Sequence, residues 1–241
     1  MSDVKRLPNQ SAGQKPGQKR KEQAAATRRR IVDAAYRLFC EQGYALTTME
    51  SIGREARVAV QTVYYVFRTK AHLLREVIEV TAAGLPEPAP VMQRGWMQEA
   101  LSALDGHRAL ALVIEHGVDI YARMAPLSQA VHTAAASDPD IDAHWQNIAA
   151  ARRTGMGQLI TTIAAHGHLR HGLTPERAAD IMFVINSHET FLGLTRDAGW
   201  TVPEFKAWLY ETLSSQLFPP HGKVPPNATK DLSFHDLVQH R

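Results

Sequence analysis

Residues 47–74 read TTMESIGREARVAVQTVYYVFRTKAHLL, and the spacing within this stretch decides the fold. Thr47-Thr48-Met49-Glu50 has the form of a capping box, with Thr47 as N-cap and Glu50 reaching back, which predicts a helix from here to about Ala56. Met49, Ile52 and Ala56 mark its inner face. Gly53 inside it costs roughly 1 kcal/mol relative to alanine, a cost that makes sense where a second backbone passes close by. After a turn at residues 57–59, Val60, Val63 and Phe67 stand three and four apart and predict another short helix. Upstream, Ile31, Ala34, Ala35, Leu38 and Phe39 form the stripe of a longer helix that starts near Thr27 and is stopped by Gly43. Two short helices around a tight turn, after a longer first helix, are the layout of a helix-turn-helix unit.

The whole chain has 241 residues, 44% hydrophobic and 21% charged, a globular composition that excludes wholesale disorder and fibrous repeats. Its net charge of +3 is segregated: residues 1–80 carry 15 Lys/Arg against 8 Asp/Glu, and the remainder 12 against 16. A basic first third on a mildly acidic body points to a polyanion, with nucleic acid the usual one. No stretch approaches the roughly 20 apolar residues that cross a bilayer, and the N-terminus lacks the apolar core of a signal peptide, so a cytoplasmic protein without membrane contact is expected. Cys40 is the single cysteine and builds neither an internal disulfide nor a cysteine metal site. It points nearly opposite Ile31, to solvent or a rim.

Residues 1–26 are polar and basic with no apolar period, and predict a disordered arm. Pro86, Pro88 and Pro90 make residues 85–90 a linker, and Pro219-Pro220 and Pro225-Pro226 open a loose tail over 219–241. Helical periodicity runs through 91–218 and no alternating run predicts a strand, so the chain is expected to be all-α. Thr69 is expected to cap a fourth helix, and Asp138-Pro139 to open a long helix reaching about Ala165. Thr174-Pro175 and the capping box Thr201-x-x-Glu204 open the last two. Ala178, Ile181, Met182, Ile185 and Leu192 form one stripe of the first of these, while Phe183, Val184 and Phe191 lie outside it. A helix apolar on two sides must be covered twice.

The stretch from Ile52 to Leu74 resembles the DNA-binding signature of TetR-family transcriptional regulators, through Ala56-x-Val58-x-x-x-Thr62-x-Tyr64-x-x-Phe67 followed by Lys70-x-x-Leu73-Leu74. The resemblance covers about residues 27–80; beyond them only length and helical character agree. It implies an N-terminal three-helix helix-turn-helix DNA-binding domain over 27–84, then a helical ligand-binding and dimerisation domain over 91–218. Two positions depart from the family: Arg57 stands where glycine is usual, and Ala59 where a capping Ser or Thr is usual, so the turn must be made differently.

On this reading Thr47 and Thr48 offer hydroxyls and free N–H groups to a DNA phosphate at a helix start, although capping alone accounts for them equally well. Arg57 offers a guanidinium to the backbone or stays in solvent. Val60, Gln61 and Tyr65 face base edges, with Gln61 the best reader of an adenine and Val60 able to pack on a thymine methyl. Thr62 and Tyr64 bond phosphates, Tyr64 with its ring partly in the core. Similarity to the family assigns Lys70 a phosphate, and Arg28, Arg29 and Arg30 add nonspecific attraction. The resemblance also implies a homodimer through the last two long helices, where Ile181, Ile185, Phe191, Trp208 and Leu213 are the candidate contacts, the alternative being a wholly intramolecular core. Trp96, His116, Tyr121 and Trp145 are candidate contacts for a small-molecule effector of unknown identity, from a palette that suits a core equally well.

His166, His168 and His171 have the spacing of a metal site, but no carboxylate or thiol adjoins them, and a solvent loop is the expectation. No nucleophile elbow or phosphate-binding glycine loop occurs, so neither catalysis nor a cofactor is expected. The expected function is a ligand-responsive regulator, a repressor that leaves a near-palindromic operator on binding its effector. The alternative is a helical small-molecule binding protein or enzyme that does not read DNA sequence.

Overall fold

The computed structural model describes residues 16–84 and 89–220, and among them the chain is entirely helical. The elements in order are α1 (Pro16–Leu46), α2 (Met49–Glu55), α3 (Val60–Phe67), α4 (Lys70–Ala83), α5 (Gly95–Ser102), α6 (Gly106–Met124), α7 (Ser128–Ala135), α8 (Pro139–Ala165), α9 (Pro175–Ile185), α10 (His188–Leu192) and α11 (Val202–Leu217). A π-helical turn, Gly193–Asp197, follows α10. The expected caps of four helices form: Thr69, Asp138, Thr174 and Thr201 each accept a backbone N–H of their first turn. Thr201 completes its box with Glu204.

The N-terminal arm differs from expectation. Helix α1 starts at Pro16, and residues 17–26 continue it with every side chain exposed. Gln, Lys, Arg, Glu and Ala over residues 18–26 are helix formers, Gly17 lies only in the first turn, and a proline at a helix start loses no bond. The part of the arm over 1–15, linker residues 85–88 and the tail from 221 lie outside the described residues. Gly43 kinks α1 at φ 80°, ψ 172°, leaving one further turn to Leu46.

Two hydrophobic cores form, and their boundary does not fall at the proline linker. One gathers α1–α4 around Ile31, Phe39, Ile52, Val63, Phe67 and Leu74, and it also takes in Leu127 just before α7, Val131 and Ala134 from α7, and Ile141 from α8. The other joins α5, α6, α9–α11 and the later part of α8 around Leu110, Ile114, Leu159, Met182, Phe205 and Leu209. Polar bonds also cross between the N-terminal helices and the body. The Tyr44 hydroxyl donates to Asp138 at 3.2 Å, and Arg123 of α6 donates to the carbonyls of Thr81 and Ala82 at 3.2 and 3.0 Å.

The expected single helix from Thr174 to Leu192 is two helices. Asn186 (φ −85°, ψ 63°) leaves the helical region, and Ser187 caps a new start by accepting from Thr190 N–H at 3.1 Å. The break re-phases everything after it, and this decides which apolar residues face inward.

Candidate nucleic-acid interface

The start of α2 is shifted by one residue from the capping box read in the sequence. Thr48 is the N-cap, and Ser51 is its reciprocal partner: Ser51 N–H donates to Thr48 Oγ1 and Thr48 N–H to Ser51 Oγ, both at 3.1 Å. Thr47 is 0% exposed, its hydroxyl donating to the Gly43 carbonyl at 2.7 Å. The kink at Gly43 turns that carbonyl toward Thr47, so Thr47 seals the end of α1 and presents nothing to a phosphate. Thr48 is exposed, as the expectation required.

Gly53 is where the two short helices cross. A Cβ there would lie 3.2 Å from the Val58 carbonyl oxygen and 3.4 Å from Val60 Cα, so the close backbone approach inferred from its cost is present. The turn is made without the family's usual residues. Arg57 adopts φ 55°, and α3 begins at Ala59 with no side-chain cap. A left-handed non-glycine residue is disfavoured by roughly 1 kcal/mol, and here the residue carries an exposed guanidinium.

Along α3, Val63 and Phe67 are buried, while Gln61, Tyr64 (45% exposed) and Tyr65 (88% exposed) stand outward. A tyrosine that exposed on a folded helix has no packing partner of its own. Thr62 is half-buried, and Val60 packs partly on the core, less open than a base-reading residue was expected to be. Arg68 closes α3 with φ 58° and is also exposed, so the helix is bracketed by two left-handed arginines.

Two cations expected at DNA are engaged within the protein. Lys70 donates to the carbonyls of Tyr44 (2.7 Å) and Thr47 (2.9 Å), and its ammonium lies 4.2 Å from the Tyr44 ring centroid. Burial lowers its pKa, against the opposing pull of Asp138. It ties the end of α1 to the start of α4 through two of the three N–H donors of its ammonium. Arg28 is clamped by Glu76 through two bonds of 2.7 Å and lies over the Phe67 ring, leaving Arg29 and Arg30 exposed.

In the body the expected effector contacts separate. Trp96 and His116 stack at 5.1 Å, and the Tyr121 hydroxyl donates to the Asn186 carbonyl at 2.8 Å. Trp145 packs instead against the N-terminal core, its ring 6.4 Å from His132. The expected subunit contacts divide as well. Phe191 (2% exposed) and Leu213 (0%) are buried in this chain's own core and cannot meet a partner. For Phe191 the cause is the break at Asn186, which turns α10 inward. Ile181, Ile185 and Trp208 keep part of their surface, beside Val184, which is 66% exposed. His168 bonds the Leu104 carbonyl and His166 the Thr162 carbonyl. Cys40 is half-buried, and burial raises its thiol pKa.

The sequence reading missed Ser51, Arg68 and a polar group formed by Asn186, Arg152 and His188. The Arg152 guanidinium donates to the carbonyls of Phe183 (3.0 Å) and Asn186 (2.8 Å), and His188 Nε2 lies 2.6 Å from Ser128 Oγ. Burial, ahead of nearby charges, holds the His188 imidazole at a pKa of about 4. The readable signal was the start motif Ser187-x-x-Thr190 inside an apolar run.

Residues 31–77 match the bacterial regulatory proteins of the tetR family. The chain is 29% identical over 126 residues to the HTH-type transcriptional regulator AcrR of Shigella flexneri, a match that spans 46% of this chain and 59% of AcrR. With TtgR of Pseudomonas putida it shares 28% over 167 residues, 68% of this chain and 78% of TtgR. Among solved structures, NalD, the secondary repressor of the MexAB-OprM multidrug efflux pump in Pseudomonas aeruginosa, superposes with a TM-score of 0.65 at 21% identity, covering 83% of this chain and 100% of NalD. A SmeT–triclosan complex gives a TM-score of 0.65 at 20% identity, covering 86% of this chain and 99% of SmeT. The structural likenesses speak for the fold, and the family match over residues 31–77 takes in the helix that carries Gln61, Tyr64 and Tyr65. Over residues 31–77 this chain is therefore similar to the bacterial regulatory proteins of the tetR family, and its described helices share the fold of NalD and SmeT.

Proposed function

We propose that the chain is a cytoplasmic transcriptional repressor that binds a near-palindromic operator as a homodimer and releases it on binding a small molecule. The observation that carries the reading is the outer face of α3, where Gln61, Tyr64 and Tyr65 are exposed over buried Val63 and Phe67. Such a helix can enter the major groove, with Gln61 bonding an adenine edge and Tyr64, Thr48 and the arginines at 57 and 68 positioned for backbone phosphates. A second copy joined through Ile181, Ile185, Trp208 and Val184 sets two such helices about 34 Å apart, one turn of DNA.

Arg123 supports a route from the body to α4, because it holds the last carbonyls of that helix. An effector that prefers the state with a shifted α6 withdraws α4 and moves the two recognition helices out of register. Efflux-pump repression by NalD and triclosan binding by SmeT favour an apolar aromatic effector for this chain too.

Selection of bound sequences from a random DNA pool at near-physiological salt tests the reading. A two-fold symmetric consensus is expected, and Gln61→Ala relaxes one base position per half-site, a loss of about 1 to 3 kcal/mol in discrimination. Sequence-blind binding would leave a small-molecule binding protein instead. An effector that tightens operator binding in a gel shift would reverse the direction of control.

A further inference from the structure

Helix α1 changes character near Thr27. Beyond that residue its stripe of Ile31, Ala34, Ala35 and Phe39 packs into the first core, whereas residues 17–26 are exposed on every side. At about 1.5 Å of rise per residue the uncovered stretch is about 15 Å long. Its charge is of one sign: residues 17–30 carry six Lys/Arg against Glu22 alone. Lys19, Arg20, Lys21, Arg29 and Arg30 are exposed, and among the described residues none of the five belongs to an ion pair. No acid stands in the first turn, and cations near a helix start oppose the helix dipole. Propensity forms this part of α1, but its charge pattern weakens it.

Arg28 fixes where the projection leaves the protein. Its guanidinium lies 4.6 Å from the Phe67 ring centroid and is bonded to Glu76. Phe67 is the last residue of α3, so α1 passes the end of α3 at Arg28 and continues beyond it. Ala24 and Lys21 stand four and seven residues before Arg28, on the same face of α1. Arg20 stands seven before Thr27 and eleven before Ile31, on the inward face. Both cations therefore overhang the end of α3, about 10 to 12 Å along α1 from Arg28.

We infer that Lys19, Arg20 and Lys21 form a second DNA contact, made to backbone phosphates beyond the base pairs that α3 meets. The inference rests on the operator-binding reading above and adds an outer surface to it. That surface runs on from the outer face of α3 through the exposed Arg29 and Arg30, and duplex DNA supplies the opposite charge. Phosphates stand about 3.4 Å apart along each strand, so a reach of about 10 Å adds three or four positions to each half-site. Phosphate contacts carry no base preference, so the addition lengthens the site without altering its consensus. A helix, unlike a flexible basic tail, holds its cations at a set distance from α3.

The test uses the full-length protein and a long duplex carrying the operator recovered by selection, read by hydroxyl-radical footprinting and by the salt dependence of affinity. In Lys19→Gln/Arg20→Gln/Lys21→Gln the consensus and the melting temperature are expected to match the wild type. Protection is expected to disappear over about three or four positions per half-site, and the salt slope to fall by about 3 for each subunit. Ala25→Pro keeps every charge but cannot carry the helix across residue 25, because the ring removes a donor and clashes with the preceding turn. It should lose the same patch of protection while keeping most of the salt slope. An unchanged footprint in the triple variant, or full protection by Ala25→Pro, would overturn the inference and leave a solvated arm. If the wild type selects no consensus, the operator reading falls and this inference with it; a clear consensus with the triple variant's footprint intact removes this inference alone.

Discussion

The first four helices and the helices of the body obey the same packing rules, yet they hold their strain in different places. In α1–α4 the apolar core is closed and the strain lies on the surface, at Arg57 and Arg68. In the body the unpaired polarity lies inside, at the Asn186 side-chain oxygen, two residues from the buried imidazole of His188. On the proposed function, a surface that meets a rigid duplex gains from a preset backbone, whereas a body that responds to a ligand gains from an interior that is not fully satisfied.

The largest effect expected on this contrast is at Leu213, which sequence reasoning gave to the subunit interface. Leu213→Ala should cost about 3 to 5 kcal/mol in denaturant unfolding, as a fully buried leucine does. Ile181→Asp should leave unfolding of the monomer nearly unchanged and dissociate the dimer in sedimentation. A Leu213→Ala chain that dissociated at full stability would return Leu213 to the interface.

Lys70→Met comes next. It removes two charge-assisted bonds at a half-buried site and should cost about 2 to 3 kcal/mol. The salt dependence of DNA binding by the folded variant should stay the same. A salt slope reduced by about 1 with unaltered unfolding would restore Lys70 to a phosphate.

Acid should find the weakness of the body before that of the reading helices. Because the folded chain holds His188 at about 4, the unfolded chain binds a proton that the folded chain refuses between about pH 6.5 and pH 4. Stability is therefore full above that window and falls as pH falls through it, by at most about 3 kcal/mol. His188→Gln should flatten this part of the unfolding profile, and an equally steep profile in the variant would assign the loss elsewhere. The smallest effect is a gain: Ala59→Ser supplies the missing N-cap of α3 and should raise stability by about 1 kcal/mol.

The helix-turn-helix was legible because period, caps and turn residues agreed over a short stretch. Even the departures at Arg57 and Ala59 were readable as a turn made at a cost. The error of one residue at Thr47 has a local cause: Thr47 and Thr48 both satisfy the capping pattern, and only the kink at Gly43 decides between them. Lys70 was illegible because its partners are backbone carbonyls from a distant turn, which no spacing rule records. Phe191 was misplaced because Asn186 was read as one more residue of a continuous helix. Once the chain leaves the helical region there, the phase inherited from Ile181 and Ile185 no longer applies.

The first core reaches past the proline linker to Leu127, Val131 and Ile141, and this limits how the protein can be divided. A reading head cut at residue 84 would leave the inner sides of Phe39 and Tyr44 facing water, and a foreign body spliced on at that point would not restore them. Chimeras that exchange operator specificity between relatives should therefore carry α7 and the opening of α8 along with α1–α4, or confine the exchange to the few exposed positions of α3.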